Sequence, residues 1–235
     1  LPNIHNRIEQ GHSVIVFDFK GNMHLKVKCI ADNFRRLEDV LEIGVLWGES
    51  LNLLDGLSEK EIDTLLSMGG HNTDYWDVAA LSLFKALYFS LLELRELYAF
   101  LKKIHGNIES SPLRAYDIAP TFNAIYGLIK PSEIEKHIAV LGGAVGLIHK
   151  TLVENESLQE NSKLKYALSH FEKKLKQFAL ELNAFKHIKE EERDSGNHGV
   201  MNCLKNMIQD IARIPFMNDT RAKPIGEMIA NKIVV

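Results

Sequence analysis

The chain has 235 residues, 46% of them hydrophobic and 25% charged, and a net charge of −3. This is the composition of a globular protein with enough apolar residues for a sizeable core, and the near-neutral balance excludes bulk charge as a basis for binding nucleic acid or an anionic membrane. Two cysteines without paired spacing, Cys29 and Cys203, exclude a disulfide scaffold and a cysteine zinc site and suit a reducing compartment.

In chain order, "NIHNRIEQ" at 3–10 reads as the last turns of a helix stopped by Gly11. The apolar run over 13–18, closed by Asp18, predicts a parallel strand buried on both faces. Asn22 is placed to cap a helix reaching about residue 33, and Cys29 within it, among apolar neighbours, is expected in the core. "VLEIGV" at 40–45 is a second short strand. Ser58 with Glu61 makes a capping box, so a helix starts at 59.

Trp76, Ala80, Leu83, Leu87, Leu91 and Leu94 recur at spacings of three and four and predict a long amphipathic helix over 74–104. Its apolar centre, 78–94, is interrupted by Lys85 and crowded by Glu93, Arg95 and Glu96. It is therefore read as a buried helix and not a membrane span. Further helices are expected over 113–129, 132–153, 160–190 and 198–212, and "NKIVV" at the end predicts another strand. Strands at both margins with helices between them imply a mainly α fold, in which an all-helical domain interrupts a partial sheet domain. Neither end has the features of a natural terminus, so a fragment of a longer protein is expected.

Asp18 sits at the carboxyl end of a predicted strand, where open parallel sheets gather their ligands. An aspartate there can orient a phosphate loop, hold a metal-bound water or bond local amides. Lys20 is a candidate for approaching a phosphate, and Gly21 follows it. The competing reading of Asp18 to Gly21 is an ordinary turn. "GGAVGLIHKT" at 142–151 imitates a phosphate loop, but Ala144 and His149 stand where glycines are required, and its apolar residues have a helical period. Its glycines are expected to let two helices approach closely.

His71, Asp74 and Asp77 in "MGGHNTDYWD" form an incomplete metal set, and Asp74 is better placed as a helix cap. No metal ligand and no catalytic residue is assigned. Lys163, Lys165, Lys173, Lys174 and Lys176 are candidates for contact with a nucleic-acid backbone. Against that, Phe171, Phe178 and Phe185 recur every seven residues as a packed face, and Glu172 and Glu181 dilute the charge, so a plain solvated helix competes.

Taken together and in this order, "EQGHSVIVFDFKGN", "SLNLLDGLS" at 50–58, "LLSMGGHNTDYWDVAALSLFKALY" and the closing "NKIVV" resemble the type IV secretion coupling proteins, the TraD/TraG-like ATPases of bacterial conjugation. Leu53 stands where that family usually has a proline. The resemblance covers about 1–95 and 205–235. It implies a partial RecA-like nucleotide-binding domain, 1–56 with a return strand at 226–235, interrupted by an all-alpha domain at 57–225. It also implies a parent protein that uses ATP and Mg2+, assembles as a homo-hexamer and is anchored at the bacterial inner membrane outside this chain. Its partners would be secretion substrates (a relaxosome DNA–protein complex or effector proteins), the secretion channel and accessory proteins. Asp18, Lys20 and Gly21 would lie beside a phosphate loop preceding residue 1, and the second acidic strand would follow residue 235. With both Walker elements outside it, the chain alone is expected to be inactive. The alternative is a helical adaptor with no ATPase ancestry.

Overall fold

The structure is a computed structural model that describes residues 2–18, 21–45, 47–67, 75–105, 111–154, 161–185 and 196–235. Among the described residues it is mainly helical with a small three-stranded parallel sheet. The elements are α1 (Pro2–Glu9), β1 (Val14–Ile15), α2 (Met23–Asn33), β2 (Val40–Leu41), α3 (Glu59–Ser67), α4 (Tyr75–His105), α5 (Phe122–Leu128), α6 (Pro131–Glu154), α7 (Ser162–Asn183), α8 (Gly196–Ala212), α9 (Ile225–Ile229) and β3 (Ile233–Val234). They fall into two compact units, Leu1–Gly56 with Ile214–Val235, and Leu57–Arg213.

In the first unit β3 lies between β1 and β2 and pairs with both in parallel. Val14 and Val40 flank Ile233 from opposite sides, and Ile15 and Leu41 likewise flank Val234. The last strand of the chain is thus the middle strand of the sheet. Ile233 is fully buried with Ile8 of α1 and Val27 and Ala31 of α2, and Val14, Val16, Phe34 and Val40 pack around them.

β1 departs from the sequence reading. Only one face of its run is covered: Val14 and Val16 face the core while Ile15 and Phe17, on the other face, are exposed. The strand covered on both sides is β3. Cys29 is exposed for a related reason. α2 buries the i, i+4 pair Val27 and Ala31, and Cys29 points to the other side of the helix.

Arg36 ties the ends of this unit together. Its Nη1 donates to the carbonyls of Ile8 (3.1 Å) and His12 (3.0 Å), its Nη2 to Asn231 (3.3 Å) and its Nε to Asp39 (3.0 Å). Lys232 Nζ reaches the other oxygen of Asp39 at 3.2 Å. The chain leaves and re-enters the unit along one seam. Leu51 N donates to Phe216 O at 2.7 Å, Asp219 N to Leu51 O at 3.2 Å, and Asn52 is fully buried beside Asn218 and Pro224. These bonds draw residues 214–225 into the sheet unit. The helical segment therefore closes at Arg213, earlier than the residue 225 read from the sequence.

In the second unit α4 packs against α7 and α8, α6 against α7, and α5 against α8. The predicted stripe on α4 holds in its middle, where Ala80, Leu83, Leu87 and Leu94 are fully buried, but Leu91 is only half-buried and Trp76, at the start of the helix, is exposed. The capping box forms, with Ser58 N donating to Glu61 Oε2 at 2.8 Å and Glu61 N to Ser58 Oγ at 3.4 Å. α7 buries Leu168, Leu175 and Leu182 at heptad spacing, and Phe171 packs beside that seam against Phe100, ring centres 5.5 Å apart. The single helix expected over 113–129 is two pieces, a 3-10 turn at Pro112–Tyr116 and α5. Pro120 cannot continue the helical ladder, and Thr121 starts α5 by accepting from Ala124 N at 3.1 Å. No described helix is long and apolar enough to cross a membrane.

Candidate functional site

Asp18 follows β1 at the carboxyl edge of the sheet. Gly21 N donates to Asp18 O at 3.3 Å, and Gly21 takes φ +68°, a left-handed conformation that suits glycine. The Asp18 side chain turns onto the start of α2. Its oxygens accept from the backbone amides of Asn22 (3.1 Å), Met23 (2.7 Å) and His24 (3.0 Å), and His24 Nδ1 lies 3.3 Å away. Burial alone would raise this carboxyl. The amides of His24 and Met23, then the His24 ring and the Asn22 amide, outweigh it and hold it down at about 2. Asp18, not the Asn22 side chain, therefore caps α2 and balances the positive end of its dipole.

Of the roles open to Asp18, the geometry shows the local one: its oxygens bond the amides at the start of α2. The helix N-terminus that could receive a phosphate holds the protein's own carboxylate. Lys20, together with His71 and Asp74 of the metal reading, lies outside the described residues. Asp77 accepts from Cys203 Sγ at 3.2 Å, and no group of metal-ligating side chains occurs among the described residues.

Two features at this edge escaped the sequence reading. Glu42, just past β2, takes Lys28 Nζ at 2.6 Å and Trp47 Nε1 at 3.1 Å on Oε2, while Oε1 is buried without a partner among the described residues. Beyond it an open cleft of about 710 Å3 runs between residues 44–50 and 215–221, with Arg221 and Asp219 on one wall. The signal for the cleft was the glycine pair in "GVLWGES". A Cβ on Gly44 (φ +89°) would meet the Phe216 ring at 3.3 Å, and one on Gly48 would strike the Glu42 carbonyl and come within 2.8 Å of Val45 Cγ2.

The five candidate lysines all lie on α7. At ~100° per residue, Lys163 and Lys174 share one side and Lys165 and Lys176 lie roughly opposite. They do not gather into one basic stripe. Lys174 is engaged by Glu93 at 2.9 Å and Lys176 by Glu172.

The most perturbed groups of the helical unit are core residues. His137 on α6 is 3% exposed, and burial depresses its imidazole to about 4. Its Nε2 lies 2.8 Å from Ser90 Oγ, which itself donates to Leu87 O. Glu93 is 4% exposed. Burial raises its carboxyl against the opposing pull of Lys174. The glycines at 142, 143 and 146 do not mediate a close helix approach, because a Cβ added at any of them meets nothing within 4 Å.

A scan against protein-family models finds no match, and neither the curated proteins nor the solved structures yield one.

Proposed function

We propose that this chain is a segment of a type IV secretion coupling ATPase, with its helical unit acting in the recognition of secreted substrates or accessory proteins. One observation carries the reading. Strands from the two margins of the chain, β1 and β2 before the helices and β3 after them, form a single parallel sheet with β3 in the middle. That is the arrangement a RecA-like sheet interrupted by an all-alpha insertion requires. The self-contained core of Leu57–Arg213 supports an insertion that serves as a recognition module. The capping of α2 by Asp18 supports a sheet edge organised by a local cap.

On this reading the parent protein binds ATP and Mg2+, assembles as a hexamer and sits at the cytoplasmic face of the bacterial inner membrane through an anchor outside this chain. Cargo is a relaxosome or an effector protein. The test compares the full product of the gene with this chain. The full product is expected to hydrolyse ATP in the presence of Mg2+, and this chain is expected to show no turnover above buffer. It is also expected to retain secretion substrates or accessory proteins when used as bait. Turnover by the chain alone, or a full product with no G-x-x-x-x-G-K-[ST] sequence and no ATPase activity, overturns the motor reading and leaves a helical adaptor.

A further inference from the structure

In the helical unit a cleft of about 440 Å3 lies between the 3-10 turn at Pro112–Tyr116 and α6, a size within the ~300–1,000 Å3 range of small-ligand sites. Leu113, Tyr116, Val140, Ala144 and Leu147 give it apolar walls. Its lining residues on α6 extend from Val140 to Lys150, about 15 Å of helix at ~1.5 Å per residue. Among the described residues that line it, the one charged side chain is Lys150. Lys150 pairs with Glu154, its i, i+4 neighbour, at 3.7 Å, and both side chains are mostly exposed. An exposed pair of that kind is weak and leaves the ammonium free to turn to another anion. Gly143 and Gly146 border the same cleft. Glycine inside a helix destabilises it relative to alanine, and no neighbour requires it here, because a Cβ on either would stand in open space. What these glycines leave is room beside the apolar walls.

We propose that this cleft binds a small amphiphilic carboxylate with an unbranched apolar chain, the chain lying along α6 and the carboxylate meeting Lys150 Nζ. The walls select an apolar body, since a polar one would lose water there with no hydrogen bond in return. The length selects an extended chain over a compact ring. The charge selects an anion, since a cationic head would lie against the Lys150 ammonium. A ligand held by the folded helical unit and not by the unfolded chain stabilises that unit by mass action. Such a site is independent of the secretion reading, because it needs only α6 and the turn beside it.

The experiment titrates decanoate, below its micelle concentration, into the whole chain by isothermal titration calorimetry, with octanoate, decanol and decyltrimethylammonium as comparisons. Decanoate should bind saturably, octanoate about tenfold more weakly because its chain is shorter, and decyltrimethylammonium more weakly than decanol. Lys150→Gln should weaken decanoate binding about two- to fivefold and leave decanol unchanged. Gly143→Leu and Gly146→Leu bring a side chain to the cleft at positions where leucine is the better helix former and a Cβ has room. Both should fold, with melting temperatures no lower than the wild type's, and both should lose at least about tenfold in decanoate affinity. Ser169→Leu, exposed on α7 away from the cleft, should bind as the wild type does. Undiminished decanoate binding in both glycine variants or in Lys150→Gln, equal affinity for decanoate and octanoate, equal affinity for decanoate and decyltrimethylammonium, or no saturable binding each overturn the proposal.

Discussion

Replacing His137 by glutamine should flatten the acid side of the stability profile. The imidazole is buried between α6 and α4 and is depressed from 6.5 to about 4 by burial. Because Ser90 Oγ donates to Leu87 O at 2.8 Å, it accepts from His137 Nε2, which fixes the neutral tautomer. In the unfolded chain the same ring protonates near 6.5. Between pH 6.5 and about 4 the unfolded state therefore binds more protons than the native state, and stability falls as pH falls. Below about 4 both states are protonated and this contribution is flat. The gap of about 2.5 pH units at 1.36 kcal/mol each gives a loss of about 3 kcal/mol, of which about 2 has gone by pH 5. Glutamine keeps a donor for Ser90 and does not titrate. Urea unfolding followed by circular dichroism at about pH 7.5 and pH 5 measures both proteins. The wild type should lose about 2 kcal/mol more than His137→Gln over this interval. Equal losses would refute the argument that His137 is buried and neutral.

At Asp18, replacement by asparagine should lower the urea midpoint and replacement by alanine should lower it further, since asparagine keeps an acceptor for the α2 amides and alanine keeps none. The stability that the Asp18 carboxylate contributes is present above 3.8 and is lost as pH falls towards about 2, so Asp18→Ala should show a smaller change across that window. Two glycine substitutions should act in opposite directions. Gly48→Ala forces a Cβ into the Glu42 carbonyl and Val45 and should cost about 2–3 kcal/mol, whereas Gly143→Ala, in open space within α6, should stabilise by about 1 kcal/mol. Urea midpoints of both variants check this pair.

Local signals were the legible ones. The capping box at Ser58 and Glu61, the stripe on α4 and the β-branched "NKIVV" each announced their element, because the residues that decide them lie within a turn or two of one another. What escaped the sequence depends on contacts between distant segments. The seam joining 51–53 to 216–219 moved residues 214–225 into the sheet unit. The order β1-β3-β2 put β1 at an edge, and packing on one face only left Ile15 and Phe17 exposed. At the candidate site, Asp18 could be placed at the end of its strand by sequence alone, yet its capping of α2 rather than a ligand is a matter of side-chain direction. Glu42 and the cleft beyond it depend on how residues 215–221 return past β2.

The account depends most on β3 lying between β1 and β2, and nuclear Overhauser contacts in isotope-labelled protein report that directly. Ile233 should show backbone contacts in parallel register to both Val14 and Val40. If Ile233 contacts neither strand, the margins of the chain do not share a sheet, and the interrupted-sheet architecture together with the motor reading built on it is wrong.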